Sequence, residues 1–287
     1  MDTIAVIINK MAKNSAKAIL YLEGLKGANI SYILYETTPK NLPKTIKKCI
    51  NKYKVILIGG GDGTIRTAAH YCAHTSIILG VIPLGTLNHF AKELGLPSGV
   101  QEIVASLKKL HTIKIDLAEV NDNIFINNSS IGFYPKFADK REQYNKNYNK
   151  WLSYIPGFIE SLKKHPVFTL TVKSKNLDLS LHTSFLMVSN NVYCYKFPAT
   201  IKRESFHKAL LGLYYFKQGK IQIFKIIQSI FCSKNLFERI QSKHPIEIHF
   251  KNEKEITISL DGDTIKTKTP LYYRTLSRSL TLLKSSS

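Results

Sequence analysis

The chain has 287 residues, 44% hydrophobic and 21% charged, with 41 Lys and Arg against 20 Asp and Glu, for a formal charge of +21. That length can bury one large or two moderate cores, two being expected, and the apolar content is ordinary for a globular protein. No apolar run approaches the roughly 18–20 residues that span a bilayer, and Cys49, Cys72, Cys194 and Cys232 lack metal-like spacing, which favours a reduced, cytosolic setting.

Residues 4–8 are a short apolar run ending at Asn9, too brief for a signal segment, with Lys10, Lys13 and Lys17 around the turn and helix that follow. Residues 31–35 form a second strand pattern closed by Glu36-Thr37-Thr38-Pro39, and 45–52 read as a basic amphipathic helix. Residues 55–58 (Val-Ile-Leu-Ile) are unbroken apolar, as a strand covered on both faces requires, and stop at Gly59-Gly60-Gly61. Helical spacing resumes at Thr64. Residues 77–82 repeat the pattern, ending in Pro83-Leu84-Gly85-Thr86 with a helix from about Asn88. This βαβαβ alternation predicts a parallel sheet with helices on both faces. Both glycine loops then fall at one carboxyl edge, where open α/β sheets bind ligands.

Consecutive glycines leave backbone N–H groups open to phosphate oxygens, and a helix N-terminus behind them adds donors and partial positive charge. Asp62, between glycines, is a poor phosphate partner; it suits a Mg²⁺ ligand, a hydroxyl acceptor, or simply a helix cap. As an exposed loop carboxylate it is expected to contribute little to stability. No Gly-Lys-Ser/Thr follows, so this is not a Walker loop.

After a helix ending near Leu110 the pattern changes. Residues 113–120 alternate, Asn121-Asp122-Asn123 turns the chain, and 124–128 return as a hairpin. Short strands are expected at 168–172, 177–181, 185–189, 213–216, 246–250 and 256–260, so the second domain is mostly antiparallel β. Apolar helical stripes at 148–164 and 221–240, with basic flanks, suit core packing or an interfacial role. Asp261-Gly262-Asp263 reads as a hairpin turn.

Gly59-Gly60-Gly61-Asp62-Gly63-Thr64 followed by Pro83-Leu84-Gly85-Thr86-Leu87-Asn88-His89-Phe90-Ala91 resembles the diacylglycerol kinase catalytic domain in its bacterial soluble lipid kinase branch. The first element alone also occurs in NAD kinases and 6-phosphofructokinases; the second points to the lipid kinases, whose fold sphingosine kinases share. The resemblance extends to Asn127-Asn128-Ser129-Ser130 and Ser189-Asn190-Asn191 and covers nearly the whole chain. It implies a Rossmann-like three-layer α/β domain at 1–112 (plus 270–287) and a β-sandwich domain at 113–269, the C-terminal tail returning to the first.

The implied activity is ATP-dependent phosphorylation of a lipid hydroxyl, diacylglycerol foremost, giving phosphatidic acid. Alternatives are a sphingosine-type or other lipid kinase, a NAD kinase, or a non-catalytic nucleotide- or lipid-binding relative. Carried over by resemblance, Asn9, Thr37, Gly59, Gly60, Gly61, Asp62, Gly63, Thr64, Ile65, Arg66, Gly85, Thr86 and Asn88 hold ATP. Asp62, and less directly Asp116, would serve Mg²⁺; Asp62 and Asp263 would be catalytic. The family turn reads Asp-Gly-Glu, its last carboxylate being the proposed base, so Asp263 is one methylene short. Many members hold a structural Mg²⁺ with an aspartate where Lys208 aligns here, so none is expected at that position.

The positive charge is either compositional drift or fits an anionic membrane surface, each well-placed Lys or Arg contributing about 1 kcal/mol. No nucleic-acid module is visible. The expected state is therefore cytoplasmic and peripherally membrane-associated.

Overall fold

The computed structural model describes residues 2–132, 167–196, 200–215 and 238–285. The chain forms two compact units, Met1–Leu117 with Leu276–Ser287, and Ala118–Thr275. The expected helices at 148–164 and 221–240 lie outside the described residues except 238–240, which belong to a strand.

The first unit runs β1 (Ile4–Asn9), α1 (Ala18–Gly27), β2 (Tyr32–Thr37), α2 (Leu42–Ile50), β3 (Val55–Gly60), α3 (Asp62–Cys72), β4 (Ile78–Pro83), α4 (His89–Leu94), α5 (Val100–Lys109) and β5 (Thr112–Val120). Four of its strands lie in the order β2-β1-β3-β4, all parallel. Every residue of β1 and β3 is buried. That is why both read as continuous apolar runs: helices cover both faces, so no side chain meets water. Ile4, Val6, Ile8 and Leu57 share one core with Ala18 and Leu25 of α1 and Ile103 and Leu107 of α5. The helix α2 turns Leu42, Ile46 and Cys49 inward and packs with α3, which buries Ile65, Ala68, Ala69 and Cys72.

One boundary differs from the sequence reading. The glycines do not end the third strand: β3 continues through Gly59 and Gly60, which pair with Ile82 and Pro83 of β4. A Cβ on Gly60 would come within 2.5 Å of Thr64, so the bare backbone lets the strand run directly under the helix that follows it. Helix α3 therefore begins at Asp62, which belongs to its first turn and not to an open loop.

The second unit continues with β6 (Asn123–Phe125), β7 (Asn128–Gly132), β8 (Phe168–Ser174), β9 (Leu177–Thr183), β10 (Phe185–Asn190), β11 (Tyr193–Lys196), β12 (Thr200–Arg203), β13 (Leu211–Tyr215), β14 (Glu238–Ser242), β15 (Ile246–Phe250), β16 (Glu255–Leu260), β17 (Asp263–Lys268) and β18 (Leu271–Leu283). One sheet orders β14-β13-β10-β7-β16-β17; facing it, β15 joins β18 to β8 and β9, all antiparallel. Leu170, Val172, Ile246, Ile248 and Tyr273 from one side and Ile131, Val188, Leu213, Ile258 and Leu260 from the other fill a single core. This is a β-sandwich. The Tyr273 hydroxyl, wholly buried, is satisfied by Ser129 Oγ at 3.0 Å.

The return of the tail is one long strand. Residues 271–275 of β18 belong to the second unit and 276–283 to the first, where Thr281 and Leu282 pair in parallel with Ile78 and Leu79 of β4.

Candidate active site

In the strand order β2-β1-β3-β4 the chain leaves β1 outward to β2 and crosses back to β3, so the topological switch lies between β1 and β3, the place where such sheets bind ligands beyond their carboxyl ends. Asn9 ends β1 and Gly60 ends β3. The Asn9 side chain, 6% exposed, donates from Nδ2 to Thr64 Oγ1 at 2.9 Å, and its Oδ1 accepts the Met11 N–H at 3.1 Å. The sequence alone places Asn9 at a strand end; its bridge to the first turn of α3 requires the crossover.

The first bond within α3 is Ile65 N–H to Gly61 O at 3.0 Å, so the N–H groups of Asp62, Gly63 and Thr64 precede it and form the positive end of the helix. Ile65 itself offers little to a ligand, since its side chain is fully buried and its N–H is used. Gly63 is exposed, Arg66 half-buried.

The two glycine loops meet backbone to backbone. A Cβ built on Gly85 would stand 2.5 Å from Gly61 Cα and 2.7 Å from Asn88 Oδ1. Leu84 N–H donates to Gly60 O at 3.0 Å, continuing the sheet pairing into the loops. Asn88, in the left-handed region at φ 50°, folds its amide back into this turn: Oδ1 accepts Gly85 N–H at 2.9 Å and Nδ2 donates to Gly85 O at 3.1 Å. Asn14 reaches in from the loop after β1, its Nδ2 donating to the same Gly85 carbonyl at 2.9 Å. Asn88 thus holds the loop's shape with its side chain, and Thr86 is left exposed at the tip. Asn14 was not among the residues singled out by sequence; a polar residue before a helix gives no sign that it braces a loop 71 positions away.

Asp62 makes the least expected contacts. Its carboxylate accepts the backbone N–H groups of His89 and Phe90, each at 3.2 Å, and so caps α4 across the loop pair. It is a helix cap, for the helix after the second loop. Thr37, 5% exposed, ends β2 beside Asn9 and accepts a hydrogen bond from Thr45 Oγ1 at 3.3 Å.

Asp116, on β5, is 1% exposed and its Oδ1 accepts the Arg278 N–H of β18 at 2.8 Å. Arg278 is left-handed at φ 45°, a local break in that strand which turns its N–H toward the carboxylate. Among the described residues no three His, Cys, Asp or Glu side chains cluster as metal ligands.

In the second unit Asp261 and Gly262, at φ 50° and 97°, make the two-residue turn between β16 and β17. Asp261 accepts N–H bonds from Ile126, Asn127 and Asn128 at 2.8, 2.7 and 3.1 Å. Asp263, first residue of β17, is exposed. The two carboxylates of the turn therefore divide the labour: Asp261 is bound to the backbone and Asp263 stands at the surface.

Residues 3–120 match the family model described as the diacylglycerol kinase catalytic domain. A diacylglycerol kinase of Staphylococcus haemolyticus is 38% identical over 77 residues, 26% of this chain and 23% of that protein. A Synechocystis protein described as uncharacterised is 25% identical over 219 residues, which cover 75% of this chain but only 47% of its own length. The crystal structure of a diacylglycerol kinase from Bacillus anthracis superposes with a TM-score of 0.75 at 20% identity, covering 99% of this chain and 97% of that one. The chain thus carries the diacylglycerol kinase catalytic-domain match through its first unit and shares the fold of such a protein over nearly its whole length.

Proposed function

From that family match we propose that the protein transfers the γ-phosphate of ATP to a hydroxyl of a lipid, diacylglycerol foremost. The observation that carries the reading is the pair of glycine loops packed at Gly61 and Gly85, beside the switch between β1 and β3. Backbone meets backbone at their closest approach, braced by the Asn88 and Asn14 amides, and the first turn of α3 begins there with its unpaired N–H groups, a setting suited to phosphate. The Pro83–Ala91 stretch favours a lipid acceptor over NAD.

In this reading the backbone of Gly61–Thr64 and the Thr86 hydroxyl hold the phosphates, and Asn9 keeps the first turn of α3 in place through Thr64. Asp263 takes the proton of the attacking hydroxyl as its oxygen bonds to the γ-phosphorus and the bond to the bridging oxygen of ADP breaks. Positioning and charge stabilisation account for most of such a transfer. Mg²⁺ carried by ATP would neutralise phosphate charge. Asp62, each of whose oxygens accepts one N–H group and keeps a lone pair, can meet the ion that the nucleotide carries, whereas the buried Asp116 is held to the Arg278 N–H; the ion would be held chiefly by the nucleotide.

No helix among the described residues is long and apolar enough to cross a membrane. The +21 charge supports a lipid substrate met at an anionic surface, by a peripherally associated, cytoplasmic enzyme. The deciding experiment incubates radiolabelled ATP with diacylglycerol, sphingosine and other lipids in anionic vesicles, and with NAD in solution. Label in phosphatidic acid is expected; label in NADP, or in no product, overturns the reading.

A further inference from the structure

Arg203, at the end of β12, is 6% exposed and is the single buried Lys or Arg among the described residues. Its guanidinium donates from Nη1 to Ile126 O at 2.6 Å and Asn190 O at 3.3 Å, and from Nη2 to Asn127 Oδ1 at 2.8 Å. It also lies 4.5 Å from the Phe206 ring and 5.7 Å from that of Tyr193.

The peptide group joining Ile126 to Asn127 is therefore held at both ends by charge. Its carbonyl accepts from Arg203, and its N–H donates to Asp261 Oδ1 at 2.7 Å. A carboxylate on the N–H and a guanidinium on the C=O polarise the group in the same sense, so each bond strengthens the other. Asp261 in turn donates its own N–H to Asn128 O at 2.9 Å. Asp261 is itself the first of the turn's two residues, since Leu260 pairs with Asp263, and only Gly262 separates the two carboxylates. Holding Asp261 therefore restricts where Asp263 stands.

We propose that Arg203 is a positioning residue for Asp263, acting through the Ile126–Asn127 peptide and Asp261, and that it makes a structural divalent cation unnecessary in this unit. The first part rests on the proposed role of Asp263; the second does not. The metal implied by resemblance finds no ligand set here. Residues 206–212 contain no carboxylate, Lys208 Nζ pairs with Glu204 Oε2 at 3.6 Å, and the Lys208 N–H is held by Asn191 Oδ1 at 3.2 Å. The stretch is tied by an amide where a cation would need acids. The charge that a metal would bring is already present on Arg203, in a fork that reaches three oxygens at once.

Three measurements on the full-length protein test this. Without nucleotide, thermal unfolding in EDTA and in millimolar Mg²⁺ should coincide for the wild type; stabilisation by Mg²⁺ would overturn the replacement of a metal. Arg203→Lys keeps the charge but not the fork. Amide hydrogen exchange at residues 126–128 and 261–263 should then speed up at least tenfold, with exchange around the glycine loops unchanged; unchanged protection at 126–128 refutes the clamp whether or not the protein phosphorylates lipid. For an active enzyme, kcat on short-chain diacylglycerol should fall about 10²-fold, the cost of a misplacement near 1 Å, with the KM for ATP unchanged. A folded Arg203→Lys protein with wild-type kcat overturns the positioning role. If Arg203→Lys does not fold, Asn127→Ala, which removes one acceptor only, should give the same split in smaller measure, and its absence counts equally against the proposal. A wild type inert towards every lipid removes the kinase reading and the positioning role with it, while exchange and melting still decide the clamp and the replacement of a metal.

Discussion

The Asp62 carboxylate accepts the backbone N–H of Phe90 at 3.2 Å, across the junction of the two glycine loops. With its second oxygen on His89 N–H, it links the first turn of α3 to the first turn of α4. Of the roles the sequence leaves open for Asp62, the cap is made, on the helix after the second loop.

Asp62→Ala should therefore lower stability as well as abolish turnover, by about 1 kcal/mol, the usual cost of a lost helix cap. Asp62→Asn, which keeps one acceptor oxygen, should recover much of the stability and little of the activity. Urea unfolding alongside the transfer assay separates the two; an Asp62→Ala protein as stable as wild type would show that the cap contributes nothing.

Glycine substitutions should rank by clearance. Gly85→Ala places a methyl 2.5 Å from Gly61 Cα, whereas the methyl of Gly61→Ala meets Gly85 Cα at 3.3 Å. The first has only backbone and the Asn88 amide to displace, so it should part the loops and weaken ATP binding by well over tenfold. The second asks for a few tenths of an ångström and should cost less. Equilibrium binding of ATP to both variants checks the order; a reversed order would mean the loops do not meet in this way in solution.

Asp263→Asn keeps size and hydrogen bonding but removes the proton acceptor, so turnover should drop about 10²–10⁴-fold with ATP affinity near wild type. Asp263→Glu restores the side chain usual in the family and should retain or raise activity, since the exposed start of β17 has room for another methylene. Full activity of Asp263→Asn would place the base elsewhere.

Alkaline pH should destabilise the first unit through its buried thiols. Burial pushes Cys72 up to about 12, with a further contribution from the neighbouring Cys49 thiol, and pushes Cys49 up to about 11. Both start from 9.0, so between about pH 9 and 11 the unfolded chain has released protons that the folded one keeps, and stability falls as pH rises. It is fully present below pH 9. Urea midpoints at pH 8 and pH 10, for wild type and for Cys49→Ala/Cys72→Ala, test the sign: the wild type should lose more stability than the variant, and equal losses would exclude the thiols as the cause.

What the sequence determined by itself was local or periodic. The apolar runs of β1, β3 and β4 announce buried strands because both faces of a parallel sheet are covered, and the turn residues Asn121-Asp122 and Asp261-Gly262 announce hairpins because left-handed backbone selects them. The position of Asn9, Gly61 and Gly85 at one edge followed from the βαβαβ alternation. What only the tertiary structure decided was which side chains spend themselves on the scaffold. Asp62 caps a helix 27 residues on, Asn88 and Asn14 brace the Gly85 turn, Asp116 answers a strand break at Arg278, and Arg203 grips the Ile126 carbonyl 77 residues before it. Hydrogen-bonding side chains carry no period, and their partners are backbone groups that every residue possesses. No pattern in the chain can pair them; only the folded geometry, which exposes some N–H and C=O groups and satisfies the rest, assigns each one its ligand.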